Sequence, residues 1–123
     1  MDIGKHEDIY RFYEGYEGEK EIIISLSDTT YHFWDGYFED IFGNPQSSAT
    51  GWTGFTRDYN ECINAFEDTC IECALIPNEY LKDLKLYQGH NFMYPETKDV
   101  LECLTKIMEN SIEKGEYVYV KVN

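Results

Sequence analysis

The apolar positions of this chain change their period several times, and each change marks an element. Glu21-Ile-Ile-Ile-Ser-Leu26 is dense in β-branched residues and is closed by Ser27-Asp28, which predicts a strand. Ile22, Ile24 and Leu26 share one face, and Ile23 on the other suggests a strand covered on both sides. From Thr30 to Phe42 the period lengthens. Phe33, Trp34, Tyr37, Phe38, Ile41 and Phe42 form one broad stripe that predicts a helix, with Asp28, Thr29 or Thr30 at its start and Gly43 then Pro45 at its end. Asp35, Glu39 and Asp40 lie largely off that stripe.

Upstream, Ile9, Tyr10, Phe12, Tyr13 and Tyr16 keep a loose helical spacing, which predicts a short helix over 7–14 within a charged segment, 1–18, that is loosely ordered. Downstream, 44–50 is a polar loop. Trp52, Gly54, Phe55 and Tyr59 read as one or two short strands, and 69–76 has strand composition up to Pro77. Asn78 caps a short helix with Tyr80, Leu81, Leu84 and Tyr87 on one face. The clearest helix runs from Glu96 to Lys114, its stripe made by Val100, Leu101, Leu104, Ile107, Met108, Ser111 and Ile112 and its stop by Gly115. Tyr117, Tyr119 and Lys121 then alternate with Val118, Val120 and Val122 as a terminal strand. No repeat and no linker divides residues 1–123. Strands and helices mix without regular βαβ alternation, so the fold class expected is α+β, a single domain with helices packed on a mostly antiparallel sheet.

Charge changes this picture most. The chain has 24 acidic and 10 basic side chains, a net charge of −14, and the excess is uneven. Residues 1–44 carry −8, residues 45–77 carry −4 with Arg57 the only base, and residues 78–123 carry −2. The first two segments also hold 14 of the 20 aromatic residues, so the region before Pro77 is built to meet something basic. Such a balance argues against binding nucleic acid through its phosphates or an anionic membrane surface. With 42% apolar residues the chain is too hydrophobic for acidic disorder. No apolar run approaches the roughly 20 residues of a membrane span, and the first eight residues lack the pattern of a secretory signal, so a cytoplasmic location is expected.

Chemistry is sparse by comparison. Cys62, Cys70, Cys73 and Cys103 are expected as reduced thiols acting as small apolar residues. Cys70-Ile-Glu-Cys73 has the spacing of a redox or zinc half-site. Its flanks do not support redox chemistry, and no second ligand pair exists for zinc, so no metal and no cofactor is expected. His90 with a cysteine, or one of the adjacent acid pairs, would be needed for hydrolysis; nothing local supports either, and the chain is not expected to be an enzyme. What remains is the acidic and aromatic region. Spaced carboxylates can take the place of nucleic-acid phosphates in a basic cleft, through charge-assisted bonds to arginine. The pool for partner contacts is Asp35, Glu39, Asp40, Asp58, Glu61, Glu67, Asp68 and Glu72, with Trp34, Tyr37, Trp52 and Tyr59 as candidate anchors. For the Phe33–Phe42 stripe, core packing is the stronger reading.

Three stretches of the C-terminal part carry a resemblance: Glu79-Tyr-Leu-Lys-Asp-Leu84; then Phe92-Met-Tyr-Pro-Glu-Thr97 followed by Val100, Leu101 and Leu104; and Gly115-Glu-Tyr-Val-Tyr-Val120. Over 79–120 the chain resembles small acidic immunity proteins of bacterial contact-dependent growth inhibition and polymorphic-toxin systems. The resemblance implies a cytosolic protein that binds one cognate toxin tightly and neutralises it; the acidic excess adds that the toxin domain is basic, a nuclease whose active cleft is blocked. The matched positions are scaffold, and no toxin-contacting residue is implied by them. An acidic nucleic-acid mimic that regulates a DNA-binding protein, and a small hydrolase, are the alternative readings.

Overall fold

The structure, a computed structural model, describes residues 7–43, 51–67, 73–75 and 77–123. Its element order is β1 (Glu7–Phe12), β2 (Glu21–Leu26), β3 (Thr29–Trp34), α1 (Asp35–Phe42), α2 (Gly54–Glu61), a 3-10 turn (Asn64–Phe66), β4 (Cys73–Leu75), α3 (Pro77–Lys85), α4 (Thr97–Lys114) and β5 (Val118–Val122). The strands form one sheet in the order β1-β3-β2-β5-β4. Only β1 and β3 run parallel; β2–β3, β2–β5 and β4–β5 are antiparallel. The α+β class and the mostly antiparallel sheet expected from the sequence are therefore present.

β2 occupies the positions its composition predicts, and its pairing register sorts the sheet into two faces. Ile22 opposes Phe33 and Val122, and Ile24 opposes Tyr31 and Val120. With Leu26, Leu75 and Val118, most of these side chains are buried against Phe38, Phe42, Phe55, Leu84, Leu101, Leu104 and Met108 of the helices in one core. Leucine, isoleucine and phenylalanine side chains buried in this way each contribute about 1.5–3 kcal/mol. The alternate positions, Ile23, Ser25, Tyr119 and Lys121, are half-buried or exposed and stand outside that core. Among the described residues the helices pack on one face of the sheet, and Ile23, expected on a second covered face, is half-buried on the other. Ile23 is an apolar residue on a face that an antiparallel sheet can leave to solvent.

Three elements differ from their sequence expectations. The 7–14 segment is a strand through residue 12, held by β3 at Asp8↔Thr30 and Ile9↔Tyr31; its loose helical spacing is overridden by sheet pairing. The predicted helix over 30–42 is a strand and a helix in sequence. Ser27-Asp28 forms a two-residue connection between β2 and β3, with Ser27 at φ 56°, and Thr29–Trp34 pairs along the whole of β2. The stripe was real from Tyr37 onward: Tyr37, Phe38, Ile41 and Phe42 are the buried face of α1. Gly54–Glu61 is a helix where short strands were expected, because two of its buried positions, Thr56 and Asp58, are polar and hide its period. By contrast α4 and β5 fall within two residues of expectation, whereas α3 begins at Pro77, with Asn78 inside it and not capping it, and ends at Lys85, short of Tyr87; Gly115 closes α4 at φ 67° with its N–H on the Ile112 carbonyl.

Candidate functional site

The acids proposed for partner contact divide sharply by environment. Asp58 is 1% exposed. It accepts from the Tyr80 hydroxyl at 2.6 Å, the Asn64 amide at 3.0 Å and the Arg57 Nε at 3.1 Å, so its carboxylate serves the interior and it is removed from the contact pool. Asp40 accepts from the backbone N–H groups of Met93 and Tyr94 at 2.9 and 3.0 Å and from the Thr97 hydroxyl at 2.6 Å, which ties α1 to the chain entering α4. It too serves the scaffold. Asp40→Ala is expected to cost about 1–3 kcal/mol, read by urea denaturation, because two backbone donors lose their acceptor. Asp35 is half-buried at 3.2 Å from the Tyr59 hydroxyl. Burial raises its carboxyl above the ordinary range, partly offset by Lys20, and burial together with Asp35 raises the Tyr59 hydroxyl. Glu39, Glu61 and Glu67 are exposed. Asp68 and Glu72 lie outside the described residues.

The aromatic anchors follow the same division. Tyr37 is buried. Trp34 stacks on Tyr16 at 4.0 Å and meets Tyr37 and Tyr94 edge-on, with its indole N–H on Glu19. Tyr59 packs against Phe42 and Phe66. These three are packing groups, and of the four only Trp52 is markedly exposed.

A buried polar network joins α2 to α3. No side chain of Thr53 caps α2; instead Glu79 accepts from the Gly54 N–H and Asp83 from the Thr56 N–H, both at 3.0 Å. Two α3 acids spaced four apart thus supply negative charge at the start of α2. The approach is close enough that a Cβ on Gly54 would sit 2.7 Å from the Asp83 Cβ, and Gly54 has φ 56°, so this position requires glycine. Thr56 Oγ1 lies 3.0 Å from Asp83 and 2.5 Å from the Tyr87 hydroxyl. Burial, with Asp58 and Glu79 adding like charge, pushes the Asp83 carboxyl up to about 6 against the hydrogen bonds from Thr56. Among the described residues no buried side-chain nitrogen or oxygen lacks a partner. The network is closed, and its groups point at one another rather than at a substrate.

The sheet face on which no described helix packs is different in kind. At its centre His32 is held by two carboxylates, Nδ1 at 2.6 Å from Glu21 and Nε2 at 2.9 Å from Asp8. Tyr10 stacks on the His32 ring at 4.0 Å and is itself 48% exposed. Ser25 and Thr30 pair beside them at 3.1 Å. Toward β5 the face continues through Ile23 and Lys121 to Tyr119. A depression of about 350 Å³ lies at that end, lined by Ser25, Ser27, Glu116, Tyr117 and Tyr119. The Ser27 hydroxyl donates to Glu116 on its rim. Around β1 and the following turns stand the exposed acids Glu7, Asp8, Glu14, Glu17, Glu19 and Asp28. Sequence reasoning passed over this face because its tyrosines and acids sit on four segments, each unremarkable alone; the alternation Tyr117, Tyr119, Lys121 was its one visible signal.

Among the described residues no group of three or more His, Cys, Asp or Glu side chains is placed to hold a metal ion. Cys62 and Cys103 are free, and Cys73 is in a disulfide, which corrects the expectation that all four cysteines are thiols. Burial pushes the Cys103 thiol up to about 11, away from nucleophilic use. Cys62 Sγ faces the Tyr59 carbonyl and exposed His90 packs edge-on to Tyr87. No hydrogen bond among the described residues joins a histidine to either free cysteine. Among the described residues no helix is long and apolar enough to cross a membrane. No protein family, curated protein or solved structure matches this chain.

Proposed function

We propose that this protein is an immunity protein of a bacterial contact-dependent growth inhibition or polymorphic-toxin system, which binds a basic toxin domain, a nuclease, and blocks its cleft in the cytoplasm. The observation that carries the reading is the disposition of charge. Before Pro77, Glu7, Asp8, Glu14, Glu17, Glu19, Asp28, Glu39, Glu61 and Glu67 are all exposed, while in that stretch the described bases are Arg11, Lys20 and Arg57. A surface of this sign speeds encounter with a cationic partner and would repel nucleic acid and anionic lipid. The likeness of residues 79–120 to immunity proteins adds the class. The protein acts by occupancy, with no cofactor and no catalytic step of its own.

The test is a pull-down with the toxin domain encoded beside this gene, in a catalytically inactive form. A complex is expected at low salt, with an association rate that falls about tenfold or more between roughly 20 mM and 0.5 M salt, read by stopped-flow fluorescence. Absence of a complex at low salt sinks the proposal. A chain that instead competes with DNA for a host DNA-binding protein is a nucleic-acid mimic.

A further inference from the structure

We infer that the basic partner docks on the sheet face opposite the helices, with one of its arginine or lysine side chains seated in the depression between β2 and β5. This rests on the immunity reading and says where the surface lies. The face has the composition of an interface. Tyr10, Tyr117 and Tyr119 are 48%, 58% and 42% exposed on and beside a sheet face that also carries the Ser25–Thr30 pair, the His32 cluster and exposed Lys121. Exposed tyrosines give contact area at low entropic cost. On the α1–α2 side, which carries Glu39, Glu61 and Glu67, Phe38, Phe42 and Phe55 are buried and Tyr59 is half-buried against them, which leaves Trp52, ahead of α2, as the exposed aromatic among the described residues.

The depression selects the side chain. Its lining combines one acid, Glu116, which accepts from the Ser27 hydroxyl, with Ser25 and the two tyrosines Tyr117 and Tyr119. A carboxylate beside aromatic rings suits a cation, by charge-assisted hydrogen bonding and by the ring quadrupole. Its volume of about 350 Å³ admits a guanidinium on its stem. At the other end of the face, His32 held between Asp8 and Glu21 fixes the plane of Tyr10, whose ring stacks on it.

Two measurements test this. In a 15N-HSQC titration with N-acetyl-arginine-N-methylamide, shifts should concentrate at Ser25, Ser27 and 116–119; shifts spread over all exposed acids, or centred on Glu39 and Glu61, contradict it. With the inactive toxin domain, Tyr119→Ala and Glu116→Gln should each weaken binding at least tenfold, whereas Glu39→Lys and Glu61→Lys should change it less than threefold. Unchanged thermal unfolding shows that the variants fold. If the native chain binds the toxin and the Tyr119 and Glu116 variants bind equally well, the docking face is wrong and the immunity reading stands. If the native chain binds no toxin, the immunity reading itself fails.

Discussion

Asp58→Ala is expected to lower the stability of the fold by about 3–5 kcal/mol, the cost of breaking a buried, hydrogen-bonded charge pair from one side. Asp58 lies at the centre of the α2–α3 contact, with donors from Tyr80, Asn64 and Arg57 converging on its two oxygens. Truncation strands the buried Tyr80 hydroxyl and removes the nearer carboxylate from Arg57, which keeps Glu79 at 3.2 Å. Asp58→Asn retains an acceptor for Tyr80 and should lose less. Urea unfolding followed by circular dichroism reads both. A loss below about 1 kcal/mol for the alanine variant would show that the network is not formed as described.

Lowering the pH from 8 toward 5 should stabilise the protein through Asp83. Its carboxyl titrates near 6 in the fold against 3.8 when free. Between those values the folded chain holds a proton that the unfolded chain has released, so stability falls as pH rises across that window. The contribution is fully present below about 3.8 and is lost as pH passes through about 6, on the order of 3 kcal/mol in all. Asp35, raised in the same direction, adds to the slope. Relief of repulsion in a chain of net charge −14 has the same sign, so the comparison with Asp83→Asn isolates the local effect. The variant should lose most of the slope between pH 4 and 6 while keeping the Thr56 N–H satisfied by its amide oxygen. An unchanged slope would mean that Asp83 is ionised in the fold throughout.

The parts of this fold legible in the sequence are those where one amphipathic period has no competitor. Residues 97–114 keep a helical stripe over 18 positions, and 118–122 alternate cleanly, so α4 and β5 stand where the pattern puts them. β3 was hidden because Phe33 and Trp34 happen to extend the helical stripe of α1; pairing with β2 through Ser27-Asp28 decides the matter, and that is a non-local fact. α2 was hidden because its inward face is built from Thr56 and Asp58, which are buried only because α3 brings Tyr80, Asp83 and Tyr87 to meet them.

The candidate surface was legible in sign and not in place. Charge counted along the chain locates the acidic excess before Pro77, but it cannot tell an acid that faces solvent from one that caps a neighbouring segment. Asp40 and Asp58 were therefore grouped with Glu39 and Glu61, although the first pair holds the scaffold together. The sheet face opposite the helices needed the strand order, because Asp8, Glu21 and His32 come from three strands that only the β1-β3-β2 arrangement makes neighbours.

Inhibition of a basic toxin by occupancy, as proposed above, has a direct readout. The direct measurement is the catalytic activity of the toxin domain encoded beside the gene, titrated with the purified chain at low salt. Activity should fall to zero at a fixed stoichiometric equivalence and recover as salt is raised. Full toxin activity in the presence of excess chain at low salt would contradict it.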